Sequence, residues 1–138
     1  MSLLRLAPVL LVDDVAASAR HFRDRLGFTI DRLDPDLAVV SRGPAALLLR
    51  GDPEAGESLV RANRETLGAP CWDVYIWVDD LDRLYDELKG RGASISRPPE
   101  DAGQGLRQLE VIDSNGYTLC FGQVTQGSPG PLSQGSAR

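Results

Sequence analysis

The chain has 138 residues, 42% of them hydrophobic and 25% charged, with a net charge of −5. That is enough for one ordinary domain burying roughly 70% of its unfolded surface, and such a domain needs no staple to fold. The balance argues against a disordered or membrane-embedded chain, and with no basic stripe to neutralise phosphates it excludes nucleic acid as a partner.

Pro8 to Val12 reads as a buried strand. The apolar run from Ala7 to Val12 is too short for a signal-peptide core and leads straight into Asp13-Asp14, so no export signal is read and the cytoplasm is the expected compartment. A helix follows from about Val15 to Leu26, with Val15, Ala19, Phe22 and Leu26 at helical spacing and Gly27 where it must stop. The period then shortens. Phe28 to Leu33, Leu37 to Ser41 and Ala45 to Arg50 are strand-like runs, separated by the turn signals Asp34-Pro35 and Gly43-Pro44. Residues 51–70 are polar and broken by Gly and Pro, a connector with room for a short helix around Leu59 to Leu67.

The grammar then repeats. Val78-Asp79-Asp80-Leu81 restates Val12-Asp13-Asp14-Val15 at an offset of 66 residues, with a strand from Cys71 to Val78 before it and a helix from Leu81 to about Lys89 after it. The paired aspartates, Asp13-Asp14 and Asp79-Asp80, are expected to cap the two helices. Ser94 to Ser96, Leu106 to Ile112 and Tyr117 to Gly122 complete the second unit, the last two joined by Asp113-Ser114-Asn115-Gly116, a strong hairpin signal. Expected is an α+β fold of two βαβββ modules whose curved mixed sheets surround a concave cavity. Residues 1–123 form its single domain, with module one at 5–51, the connector at 52–70, module two at 71–123 and a disordered tail at 124–138. Cys71 and Cys120 have no motif spacing and are expected to be reduced thiols.

Strand alternation separates the faces. Val74, Ile76 and Val78 form an aliphatic side suited to a helix, leaving Asp73, Tyr75 and Trp77 toward a cavity. The repeat places Ala7, Val9 and Leu11 on the cavity side of the first strand and Pro8, Leu10 and Val12 beneath its helix. Thr118, Cys120 and Gly122 face the cavity, as do Gln108 and Glu110, while Leu109, Val111, Tyr117, Leu119 and Phe121 face the core. Leu48 is the cavity residue of the fourth strand, in a register that a one-residue slip would invert. The candidate ligand contacts are therefore Asp73, Tyr75, Trp77, Gln108, Glu110, Thr118, Cys120, Val9, Leu11 and Leu48.

Two βαβββ units, the stretch from Val12-Asp13-Asp14-Val15 through His21-Phe22-Arg23-Asp24-Arg25-Leu26-Gly27-Phe28, and the ending Asp113-Ser114-Asn115-Gly116-Tyr117 together resemble the vicinal oxygen chelate superfamily. This is the fold of glyoxalase I, extradiol dioxygenases and the fosfomycin and bleomycin resistance proteins. Asp24-Arg25-Leu26-Gly27-Phe28, and Tyr75-Ile76-Trp77-Val78 followed by Leu81-Asp82-Arg83-Leu84-Tyr85, look most like the bleomycin resistance branch. What the resemblance implies is a metal-free homodimer whose crevices lie between modules of different subunits and sequester cationic glycopeptide antibiotics. Metal-dependent members place a His, Glu or Gln on the first, fourth, fifth and eighth strands. Those positions correspond to Ala7, Leu48, Asp73 and Cys120, and two of the four carry no ligand atom. His21, the one histidine, lies on a helix across the sheet from the cavity and cannot repair the set.

The expected function is thus a small-molecule binder for a cationic, partly aromatic ligand, antibiotic-sequestering and homodimeric, with no catalytic residue, metal or cofactor. Two other readings stand beside it. One is a glyoxalase- or dioxygenase-like enzyme using Asp73 or Glu110 as general base on a small carbonyl or oxygenated substrate. The other is a domain whose dimer surface is its whole function.

Overall fold

A computed structural model of the chain describes residues 1–125. In chain order the elements are β1 (Val9–Leu11), α1 (Val15–Leu26), β2 (Thr29–Leu33), β3 (Leu37–Arg42), β4 (Ala45–Arg50), α2 (Arg64–Leu67), β5 (Val74–Trp77), α3 (Leu81–Gly90), β6 (Ser94–Gly103), β7 (Leu106–Ile112) and β8 (Thr118–Val124). They form two four-stranded sheets, ordered β1-β4-β3-β2 and β5-β8-β7-β6. In each, the first strand runs parallel to the fourth and the other pairings are antiparallel. The duplicated βαβββ unit is therefore real.

Each helix starts and stops for a local reason. The Asp14 carboxylate accepts the Ala17 N–H at 3.0 Å, and the Asp80 carboxylate accepts the Arg83 N–H at 3.1 Å, so the second aspartate of each pair is the cap. The expectation that all four aspartates cap is corrected for the first of each pair: α3 is capped by Asp80 and not Asp79, and Asp13 instead accepts the Ser58 hydroxyl and the Leu59 N–H and pins the connector. Gly27 ends α1 at φ 75°, its N–H returning to the Phe22 carbonyl. A Cβ there would also meet Arg42 Nη1 at 2.6 Å and Glu87 Oε2 at 2.8 Å, so that corner suits glycine on two counts.

Helix α1 buries Val15, Ala19, Phe22 and Leu26, and α3 buries Leu81, Leu84 and Leu88. One continuous core joins both helices to Leu10, Val12, Val40, Leu47 and Leu49 of the first sheet and to Val74, Leu109, Val111, Leu119 and Phe121 of the second. The strand faces assigned by alternation hold. Leu10 and Val12 are buried while Val9 and Leu11 are 56% and 42% exposed. Leu48 pairs with both Val9 and Val39, so the fourth-strand register also holds.

Several boundaries differ from the sequence expectation, β5 among them, since it begins at Val74 and not at Cys71. Strand β6 runs to Gly103 instead of ending at Ser96, through Pro98-Pro99, because it is a sheet edge with repeated register shifts where missing N–H donors cost little. The connector helix is only Arg64–Leu67. Strand β8 continues to Val124, and the Thr125 N–H donates to the Gly105 carbonyl, so the expected tail does not begin at 124. The rest of that tail, 126–138, lies outside the described residues.

Candidate ligand-binding site

The β5 strand carries Tyr75 and Trp77 on the face turned away from α3, and its neighbour β8 sets Cys120 opposite Tyr75 and Gly122 opposite Trp77. Strand β7 then sets Glu110 beside Cys120 and Gln108 beside Gly122. The structure thus brings Tyr75, Trp77, Gln108, Glu110 and Cys120 together. It adds Trp72, which alternation along a strand starting at Cys71 would set with Val74 on the other face; the strand starts only at Val74, so Trp72 is free of that rule. The ring centroids of Trp72 and Tyr75 are 5.1 Å apart, and those of Tyr75 and Trp77 are 4.7 Å apart. Both indoles stay 38% exposed, so the row of three rings is an open wall.

Polar groups fix this wall in place. The Trp72 indole N–H donates to Glu110 Oε2 at 3.1 Å, and the Tyr75 hydroxyl donates to Gln108 Oε1 at 2.8 Å. Glu110 is only 8% exposed. Its second oxygen, Oε1, has the Arg97 Nε at 3.9 Å, at the outer limit of an ion pair. Glu110 is thus largely withdrawn from water, with one good hydrogen bond and one long ionic contact. Burial pushes the Tyr75 phenol above its ordinary range, with Cys120 adding to the effect.

Asp73 has a different post. Its two oxygens accept the Asn63 N–H at 2.7 Å and the Thr118 N–H at 2.9 Å, bracing the connector against the start of β8. Thr118 is buried beside it. Val9, Leu11 and Leu48 lie together on the exposed face of the other sheet. The two sheets meet through their helices and not through these faces: Arg42 of β3 grips Glu87 of α3 with two hydrogen bonds at 2.9 and 2.7 Å. Within one chain, then, the candidate residues form two separate open faces, one aliphatic and one aromatic, and not one closed cavity. On the helix side, an open cleft of about 520 Å³ runs between the modules, lined by Leu26, Phe28, Ile76, Leu84 and Phe121 with the Arg42–Glu87 pair at its edge.

The donor set does not fit a catalytic divalent ion. Among the described residues no three His, Cys, Asp or Glu side chains converge as such an ion would need. At the positions that correspond to the metal ligands of other members, Ala7 and Leu48 have no donor, and both Asp73 oxygens hold amides. The Cys120 thiol is fully buried and pushed up to about 12 by that burial and by Glu110, so the free thiol is held protonated at neutral pH. Nor can His21 contribute, since it sits on α1 with its Nε2 buried and without a partner.

No helix among the described residues is long and apolar enough to cross a membrane. No curated protein sequence matches the chain. Solved structures do. The bleomycin-binding protein of Streptomyces verticillus, solved with copper(II)-bleomycin, is 25% identical over 91% of this chain and 98% of its own, with a TM-score of 0.62. The bleomycin resistance determinant encoded on transposon Tn5 is 23% identical over 88% and 98%, with a TM-score of 0.67. TioX from Micromonospora sp. ML1 is 22% identical over 88% and 98%, also at 0.67. The model of the Glyoxalase/Bleomycin resistance protein/Dioxygenase superfamily matches residues 4–121, and with two βαβββ modules folded as that family folds them, the chain belongs to this superfamily.

Proposed function

We propose that this protein binds a cationic, partly aromatic small molecule and holds it without transforming it, in the manner of a bleomycin resistance protein. The observation that carries the reading is the ring row Trp72, Tyr75 and Trp77 set beside the buried carboxylate of Glu110. Aromatic faces attract a cation by about 1 kcal/mol or more each once water is displaced, and Glu110 supplies the full charge. Asp73 is engaged by two amides and is not placed as a base, while Glu110 holds Trp72 through one oxygen and keeps the other, 3.9 Å from Arg97, for a ligand's charge.

The active form is a homodimer. Two faces left bare in one chain, the aliphatic Val9, Leu11 and Leu48 and the aromatic row, become the two walls of a crevice when a second copy presents the complementary face. Tryptophan emission followed during titration with bleomycin tests the binding, and sedimentation equilibrium tests the assembly. Saturable quenching by a dimer is expected. A monomer whose emission ignores millimolar bleomycin would remove the proposal.

A further inference from the structure

Tyr75 does not stand upright on its strand. It pairs across with Cys120, yet its hydroxyl reaches Gln108, which lies one rung further along beside Gly122. The ring gets there by crossing the backbone of Gly122. A Cβ on that residue would lie 2.7 Å from Tyr75 Cζ and 2.9 Å from Cε1, and closer still to the hydroxyl oxygen. Gly122 sits inside β8 without a positive φ, so its backbone is one that any residue adopts. Glycine in mid-strand otherwise only weakens a sheet, and here the close approach of the Tyr75 ring gives it a reason.

We propose that Gly122 is the selectivity-determining position of the groove, letting the Tyr75 ring lie down across β8 so that its outer face, with Trp72 inclined at 66° and Trp77 at 51° beside it, receives a planar aromatic cation in preference to a rounded one. This rests on the binding function proposed above. With a methyl group at 122 the ring must swing outward, giving up Gln108 and its present packing against the two indoles. A flat ligand then loses its stacking surface. A compact alkylammonium ion, which needs only Glu110 and one ring face, loses little.

A double-mutant cycle of Gly122→Ala and Tyr75→Ala tests the positioning role in the ligand-free protein, through tryptophan emission and the thermal midpoint. Gly122→Ala alone is expected to lower the midpoint and shift the emission, because Tyr75 packs on both indoles. In the Tyr75→Ala background it should neither lower the midpoint nor shift the emission, and the midpoint should rise slightly as a mid-strand glycine is replaced. Equal effects of Gly122→Ala in both backgrounds overturn the proposal, as does an unchanged emission in the single variant. If the single variant fails to fold, folding of the double variant supports the proposal, and failure of both overturns it.

Affinities for N-methylquinolinium and tetraethylammonium then test the selectivity. Gly122→Ala should weaken the planar cation tenfold or more and the rounded one less than twofold. Equal weakening overturns the selectivity claim. If the unmodified protein binds neither cation, the binding function itself fails and selectivity with it, whereas an additive cycle removes only the role of Gly122.

Discussion

Arg25 and Arg91, 66 residues apart, each close the end of the other's helix. Arg25 Nη1 donates to the carbonyls of Arg91 and Gly92 at 3.1 and 3.3 Å, and Arg91 Nη1 reaches the Asp24 carbonyl at 3.5 Å. The separation equals the offset of the sequence repeat, so the two modules meet through equivalent residues about a pseudo-twofold axis. Guanidinium groups suit that place because the last carbonyls of a helix carry partial negative charge and lack partners. Glu87 ties the arrangement together, accepting from Arg42 and from Arg91.

Removing that acceptor should loosen the junction between modules. Glu87→Ala is expected to cost about 1–2 kcal/mol, the range for charged hydrogen bonds that are partly open to water. Urea unfolding reads it as a lower midpoint at unchanged slope. The Arg42 hydrogen bond, then that of Arg91, holds the Glu87 carboxyl below the usual range. A depressed carboxylate adds stability above its unfolded pKa and loses it as pH falls through the folded one. Its share is therefore intact at neutral pH and lost below about pH 4.

His21 acts in a higher pH window. Burial holds its imidazole below the ordinary value of about 6.5, and Nε2 has no partner to receive a proton's charge. The unfolded chain therefore takes up that proton first, and stability should fall as pH drops from about 6.5 toward the folded value. Asp113, pushed up by its own burial, works with the opposite sign and stays in place when His21 is changed. His21→Phe should flatten the loss of thermal midpoint between pH 7.5 and 5.5; an unchanged slope would show that the imidazole is not its source.

Asp73 and Glu110 should separate under mutation. Asp73→Asn leaves one oxygen for two amide donors and turns an NH₂ toward the other, so it should cost about 1–3 kcal/mol in stability. Binding per folded molecule should change by less than threefold. Glu110→Gln should do the reverse, weakening a cationic ligand about tenfold or more with a smaller loss of stability. Equal ligand effects in the two variants would show that Asp73 also faces the ligand.

Much of this was legible in the residues. Period-2 alternation separated Leu10 and Val12 from Val9 and Leu11, and placed Tyr75, Trp77, Gln108 and Glu110 on one face, because a half-buried strand obliges its side chains to alternate. Trp72 was not legible. It precedes the first ladder residue, where alternation has no force, and is held in the wall by its bond to Glu110 and its packing on Tyr75. The extension of β6 past Ser96 runs through Pro98-Pro99, a pair that only an edge strand tolerates and that leaves no alternating pattern to read. Nothing in a strand pattern says which way two modules turn, so the open placement of the two faces had to come from the Arg25–Arg91 and Arg42–Glu87 contacts.

The central claim is that the aromatic wall and Glu110 grip a cation without help from a metal. Calorimetric titration of bleomycin into the protein in the presence of a chelator tests it most directly, alongside the Glu110→Gln variant. Saturable binding that weakens about tenfold in the variant is the predicted result. Absence of heat at millimolar bleomycin, or binding indifferent to Glu110, would contradict it.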